Sequence, residues 1–152
     1  MSLELRIPPP IVALIVAGAM WVAGHFADRL EVPEPVRTFG AITLALIGGG
    51  MTFGGARAFR KVKTTINPLT PEKTSTFVRT GIYRVTRNPM YLGLLFVLTG
   101  WSVFLESAFA LLGLPGFVLY IGRFQIAPEE RMLEKLFGSA YSDYRHQVRR
   151  WL

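Results

Sequence analysis

The chain of 152 residues contains no cysteine, which excludes disulfides, thiolate metal sites and a cysteine nucleophile. Histidine is nearly as scarce. With only His25 and His146, a histidine-built metal cluster is excluded too, and no metal is expected. The apolar stretches are almost free of charge, where a transporter would carry an ionisable residue in mid-span. No clean small-x-small cleavage pattern precedes Asp28-Arg29, so the first apolar run is expected to stay as a span and not to be removed as a signal peptide.

What is there in abundance is apolar sequence: 51% of the residues are hydrophobic and the mean hydropathy is positive. Four runs stand out, Ile11 to Ala27, Phe39 to Ala56, Met90 to Leu105 and Ala108 to Ile126. Their lengths sit near the lower limit of roughly 17–25 residues for a helix crossing a hydrocarbon core about 30 Å thick. The reading is an all-α polytopic membrane protein of one domain (1–152), with four transmembrane helices plus a C-terminal amphipathic helix over about 128–151.

Charge supplies the orientation. Between Arg57 and Arg87 lie eight basic residues (Arg57, Arg60, Lys61, Lys63, Lys73, Arg79, Arg84, Arg87) against Glu72 alone. The stretch Asp28–Arg37 is richer in acids than bases, and the turn between the last two runs carries only Glu106. Positive charge marks the cytoplasmic side, so both termini and the loop 57–88 are expected there, in an integral membrane protein of a bacterial inner membrane. Topology accounts for the net charge of +7; membrane lipids are the expected partner, and nucleic acid is not.

Several features position the runs. Pro8, Pro9 and Pro10 prevent backward extension of the first helix. Trp21 and His25 share one face near its outer end, where His25 reads as interfacial and not as a ligand. The second run holds Gly48, Gly49, Gly50, Gly54 and Gly55. Its Gly50-x-x-x-Gly54 pattern favours close helix packing within the fold and leaves room for a homo-oligomer. The loop's apolar residues Ile66, Leu69, Phe77, Val78, Ile82 and Tyr83 predict an ordered segment lying over a site. Gly113, Pro115 and Gly116 predict a kink or short break in the fourth run, and Pro128 is expected to start a new helix with Glu129 and Glu130 in its first turn.

Two polar clusters bracket the last two runs. The first is Tyr83, Arg84, Arg87, Asn88 and Tyr91, with Asn88 as N-cap and Pro89 at the first helical position. A helix N-terminus dressed with arginine suits an anionic group. The second is Glu129 and Glu130, followed by Leu133, Phe137, Tyr141 and Tyr144. Each cluster alone is explained by topology and packing; their pairing points to a small-molecule site at a membrane face.

Gly81-Ile-Tyr-Arg84, Arg87-Asn-Pro-Met-Tyr-Leu-Gly93 and Glu129-Glu130-x-x-Leu133-x-x-x-Phe137-Gly-x-x-Tyr141-x-x-Tyr144 resemble the signature of the integral membrane methyltransferases, the isoprenylcysteine carboxyl methyltransferases and the related phospholipid N-methyltransferases. The resemblance covers about residues 60–152. It implies S-adenosyl-L-methionine as cofactor and a lipophilic or lipid substrate bearing a carboxylate, amine or thiol. It also implies that Tyr83, Arg87, Asn88, Tyr91, Gly93, Glu129 and Glu130 hold the cofactor while Tyr141 and Tyr144 close over it. In chemical terms Arg87 suits its carboxylate, Glu129 or Glu130 its ammonium and the tyrosines its adenine, with Gly93 permitting close approach. Arg123 is the candidate for orienting an acceptor's charged group. Family members often carry histidine where this chain has Asn88, which removes a titrating group from that position.

Two other classes compete with this reading. A membrane reductase resembling steroid 5-alpha-reductases would use NADPH and carry Asn before the tyrosine of this motif, where Met90 stands here. A small transporter or scaffold would require a mid-span charge.

Overall fold

A computed structural model describes residues 4–26, 30–61 and 77–152. The described residues are helical, without strands: α1 (Pro9–Gly24), α2 (Glu34–Lys61), a short 3₁₀ turn (Gly81–Arg84), α3 (Pro89–Leu105), α4 (Ala108–Phe137) and α5 (Ser139–Gln147). The helices α2 and α4, of 28 and 30 residues, are long and apolar enough to cross a membrane. The apolar helices α1 and α3 are shorter, at 16 and 17 residues. Ala27, Asp28, Arg29, Lys63, Ile66, Leu69, Glu72 and Lys73 lie outside the described residues.

α3 is the middle of the assembly, with α2 against one side and α1 with the first half of α4 against the other. The α2–α3 contact is made by small residues. A side chain on Gly93 would collide with Thr52 Oγ1 and the Gly48 carbonyl, and one on Gly100 would come within 2.8 Å of the Ala41 carbonyl. This close approach, set by Gly48, Thr52 and Gly55, is the packing expected of small residues between apolar helices. The face that makes it is not the one expected, however. Gly50 and Gly54 have open space around them, while Gly48 and Gly55 meet α3. On the other side, Trp101 Nε1 donates to the Ala17 carbonyl at 3.0 Å, and Val12, Met20, Tyr91, Leu98, Phe117 and Ile121 form the buried core.

α4 departs from the expected scheme. A turn at Leu112 interrupts it early, just before Pro115, in keeping with the predicted break. Pro128, by contrast, does not start a separate helix. Gly122–Ile126 widen into a π turn, and the Ala127 N–H reaches back to the Gly122 carbonyl. A wider turn lets the helix carry a proline that lacks an N–H and would clash with the carbonyl one ordinary turn back. Glu129 and Glu130 are thus rigid continuations of α4. The expected tail helix over 128–151 is divided at Gly138, whose φ of 52° and ψ of −128° belong to backbone space that glycine occupies.

Candidate active site at one end of the bundle

The end of α2, the start of α3, the second half of α4, α5 and the strap 148–151 meet at one end of the bundle. Tyr83 reaches it because Gly55 leaves room: a side chain there would come within 3.5 Å of the Tyr83 hydroxyl and 2.7 Å of Met90 Cγ. Pro89 occupies the first turn of α3, as expected, but Asn88 makes no side-chain cap. Its Nδ2 donates instead to the Arg150 carbonyl at 2.9 Å, while its backbone N–H is received by Thr86 Oγ1 at 3.2 Å.

Three contacts join residues of the two expected clusters. The Tyr91 hydroxyl donates to Glu129 Oε1 in a short hydrogen bond. Arg87 Nη1 lies 3.0 Å from Glu130 Oε1, with both side chains about one-tenth exposed. The Tyr144 hydroxyl donates to the Tyr83 carbonyl at 2.7 Å. Tyr141, beside Arg87, is pushed up to about 12, by burial first and by Glu130 second, with the Arg87 guanidinium partly offsetting both. Tyr144 is held above the ordinary phenol range by burial and then by Tyr141; Tyr83 is raised by burial, Tyr144 and Glu129. These hydroxyls are neutral donors at physiological pH.

The tyrosines of α5 belong to an aromatic cluster. Phe77, the described end of the long loop, packs its ring 5.1 Å from Phe137, 5.6 Å from Tyr141 and 5.7 Å from Tyr144. To this extent the loop's apolar residues do reach over the cluster.

Two sequence candidates fall elsewhere. Gly93 is spent on the α2–α3 contact, where Thr52 and Gly48 fill the space above it, so it is a helix-packing residue and not a cradle for a ligand. Arg123 has a 62% exposed side chain, pairs with Glu4 at 2.7 Å and lies over the Phe124 ring; it makes no contact with the tyrosine–carboxylate cluster. The reason is the π turn, which changes the face that residues before Ile126 share with Glu129 and Glu130.

Sequence reasoning missed Arg150 and Thr86. Arg150 grips Glu130 with two hydrogen bonds, Nε to Oε1 at 3.2 Å and Nη2 to Oε2 at 2.5 Å. Thr86 is fully buried, and its hydroxyl donates to the Arg150 carbonyl at 3.2 Å. The only available signal was the Arg149-Arg150-Trp151 string, which the charge rule already accounted for.

The accounting of donors and acceptors is uneven. Glu130 has two arginine partners, whereas among the described residues Glu129 has a tyrosine and no ion pair. Arg87 is the converse: its Nε and Nη1 are buried without a hydrogen-bond acceptor, the contact with Glu130 being close but poorly aligned. Buried polar groups left in this state are uncommon. An arginine with poorly aligned donors and an acid without a cation are chemically suited to a ligand carrying both a carboxylate and an ammonium.

A helical membrane protein with paired acids, arginine and tyrosine at one end of its bundle defines a class; comparison with known proteins gives the family. A model of the phospholipid methyltransferase family matches residues 36–140, well over half of the chain, and the protein belongs to that family. It is therefore a membrane methyltransferase acting on lipid-type substrates. It is also similar to an uncharacterized protein of Haemophilus influenzae, 49% identical over 63 residues, which are 41% of this chain and all of that protein.

Proposed function

We propose that the protein transfers a methyl group from S-adenosyl-L-methionine to a carboxylate, amine or thiol of a lipophilic acceptor at the cytoplasmic membrane face. The observation that carries the reading is the incomplete set just described: Arg87, paired with Glu130 but with buried donors lacking an aligned acceptor, and Glu129, without a counter-charge among the described residues. When bound, S-adenosyl-L-methionine supplies an electrophilic methyl group on its sulfonium. The chain's own part is to bind, align and keep water out, which is where in-line displacement gains most from a protein. Arg87 receives a carboxylate. Glu129 receives an ammonium, and the Tyr91 hydroxyl holds its carboxyl in place. Glu130, already held by Arg87 and Arg150, organises the arginines and is not the ammonium partner. Tyr83, Tyr141, Tyr144 and Phe77 wall off solvent and offer rings to a nucleoside base.

In this reading all four apolar runs cross the bilayer. α1 and α3 span about 24–26 Å at 1.5 Å per residue, and the capping segments at their ends make up the thickness. The basic flanks of the site then face the cytoplasm. An acceptor dissolved in the lipid reaches the cluster laterally, and no covalent intermediate on the protein is required.

Calorimetry in detergent with S-adenosylhomocysteine and, separately, NADPH tests the reading. Heat with the former and none with the latter is expected. The reverse result would replace the transferase with a reductase, and silence with both would remove the cofactor assignment.

A further inference from the structure

We propose that Arg150 is a positioning residue that keeps Arg87 available for the carboxylate of the bound cofactor; the proposal rests on the reading above. The strap 148–151 is fixed across the start of α3 by its backbone. The Arg87 N–H donates to the Arg149 carbonyl at 3.0 Å, and Thr86 and Asn88 both donate to the Arg150 carbonyl. Val148 is buried with Tyr141 and Tyr144, and Trp151 packs against the main core. With its backbone held this way, Arg150 has its guanidinium over Glu130.

The grip is a two-point fork, one N–H to each carboxylate oxygen, the geometry in which arginine binds carboxylates best. Arg87 approaches the same carboxylate without hydrogen-bond alignment, and its Nε and Nη1 remain unspent. Two arginines therefore compete for one acid, and Arg150 holds the better geometry. Remove Arg150 and, among the described residues, Glu130 is left with Arg87 as its sole cation. A buried carboxylate so placed draws in that guanidinium and consumes the donors a ligand carboxylate needs. Arg150 thus acts on ligand affinity through Arg87, without touching the ligand.

Two probes of the full-length protein in detergent separate this role from simple support. One is S-adenosylhomocysteine; the other is its decarboxylated analogue, which keeps the nucleoside and amine and lacks only the carboxylate. Arg150→Ala is expected to weaken the first by about tenfold or more, the scale of a lost charged hydrogen bond, and the second by less than about twofold. Arg150→Lys, a point charge without the fork, recovers part of the loss. Adding Glu130→Gln to Arg150→Ala releases Arg87 and restores discrimination between the two probes.

Parallel weakening of both probes, or no change in either, overturns the proposal. If Arg150→Ala does not fold, Arg150→Lys and Arg150→Gln carry the same ratio test, read in the same way. A wild-type protein that binds neither probe would sink the cofactor reading itself, a result distinct from tight wild-type binding with an unaltered ratio in the variants.

Discussion

The two polar ends of the bundle use the same residue types to different ends. Away from the site, Arg37 of α2 meets Glu106 at 3.3 Å, one arginine to one acid, over the ring of Phe104. Glu106 takes a left-handed backbone, closes α3 and accepts the Leu30 N–H, so the pair staples a short turn. At the site end two acids face two arginines, but unequally: Glu130 has both and Glu129 has neither. Each end leaves an arginine Nε unpartnered, but the Arg37 side chain is 30% exposed and the Arg87 side chain 11%. The first belongs to a partly exposed pair, whereas the second lies in the buried cluster for which a ligand is proposed. A structural ion pair closes on itself, and the imbalance left over at the other end is what the proposed binding site rests on.

The sharpest way to break this comparison is to remove one acid from each end. Glu130→Ala leaves Arg87 buried without a counter-charge and is expected to cost about 3–5 kcal/mol of stability. Glu106→Ala, at a partly exposed pair, is expected to cost about 1 kcal/mol. Equal losses in thermal unfolding in detergent would erase the distinction between the ends. Next in size is Glu129→Gln, which keeps the shape and the Tyr91 contact. Affinity for S-adenosylhomocysteine should fall by about 1.5–3 kcal/mol with the melting temperature nearly unchanged. A shift in melting without a change in binding would return Glu129 to a structural role.

Gly93→Ala then tests whether Gly93 belongs to packing or to the site. It should lower stability by about 1–3 kcal/mol through collision with Thr52 and the Gly48 carbonyl. Its counterpart on the open face of α2, Gly50→Ala, should stay within about 0.5 kcal/mol of wild type. Matching effects of the two substitutions on unfolding would show that the open face of α2 is packed as tightly as the α2–α3 contact. The smallest expected effect is Arg37→Ala on cofactor binding, none beyond about 0.3 kcal/mol, since distant sites act independently. A clear loss of affinity there would mean the two ends are coupled.

Much of this was readable before any coordinates. The four apolar runs became helices, the short Glu106 turn joined α3 to α4, and Pro89 took its place at the start of α3. The residues around Arg87 and the acids at Glu129-Glu130 were recognisable because each departs from what lipid-facing sequence needs. Less visible was which glycine does what. Gly48, Gly50, Gly54 and Gly55 look alike in a string, and only the angle at which α3 lies selects Gly48 and Gly55. Arg123 was misplaced for a related reason: a regular helix would have related it to the acids, and the π turn at Gly122–Ile126 does not.

Composition and order alone determined that the chain is a helical membrane protein with its polar chemistry gathered at one face, because burying or exposing backbone and charge in lipid allows few alternatives. The tertiary structure decided which acid is spent and which is left over. That choice depends on Arg150 reaching back across the start of α3 from a strap some twenty residues beyond Glu130, and no local pattern encodes so distant a partner.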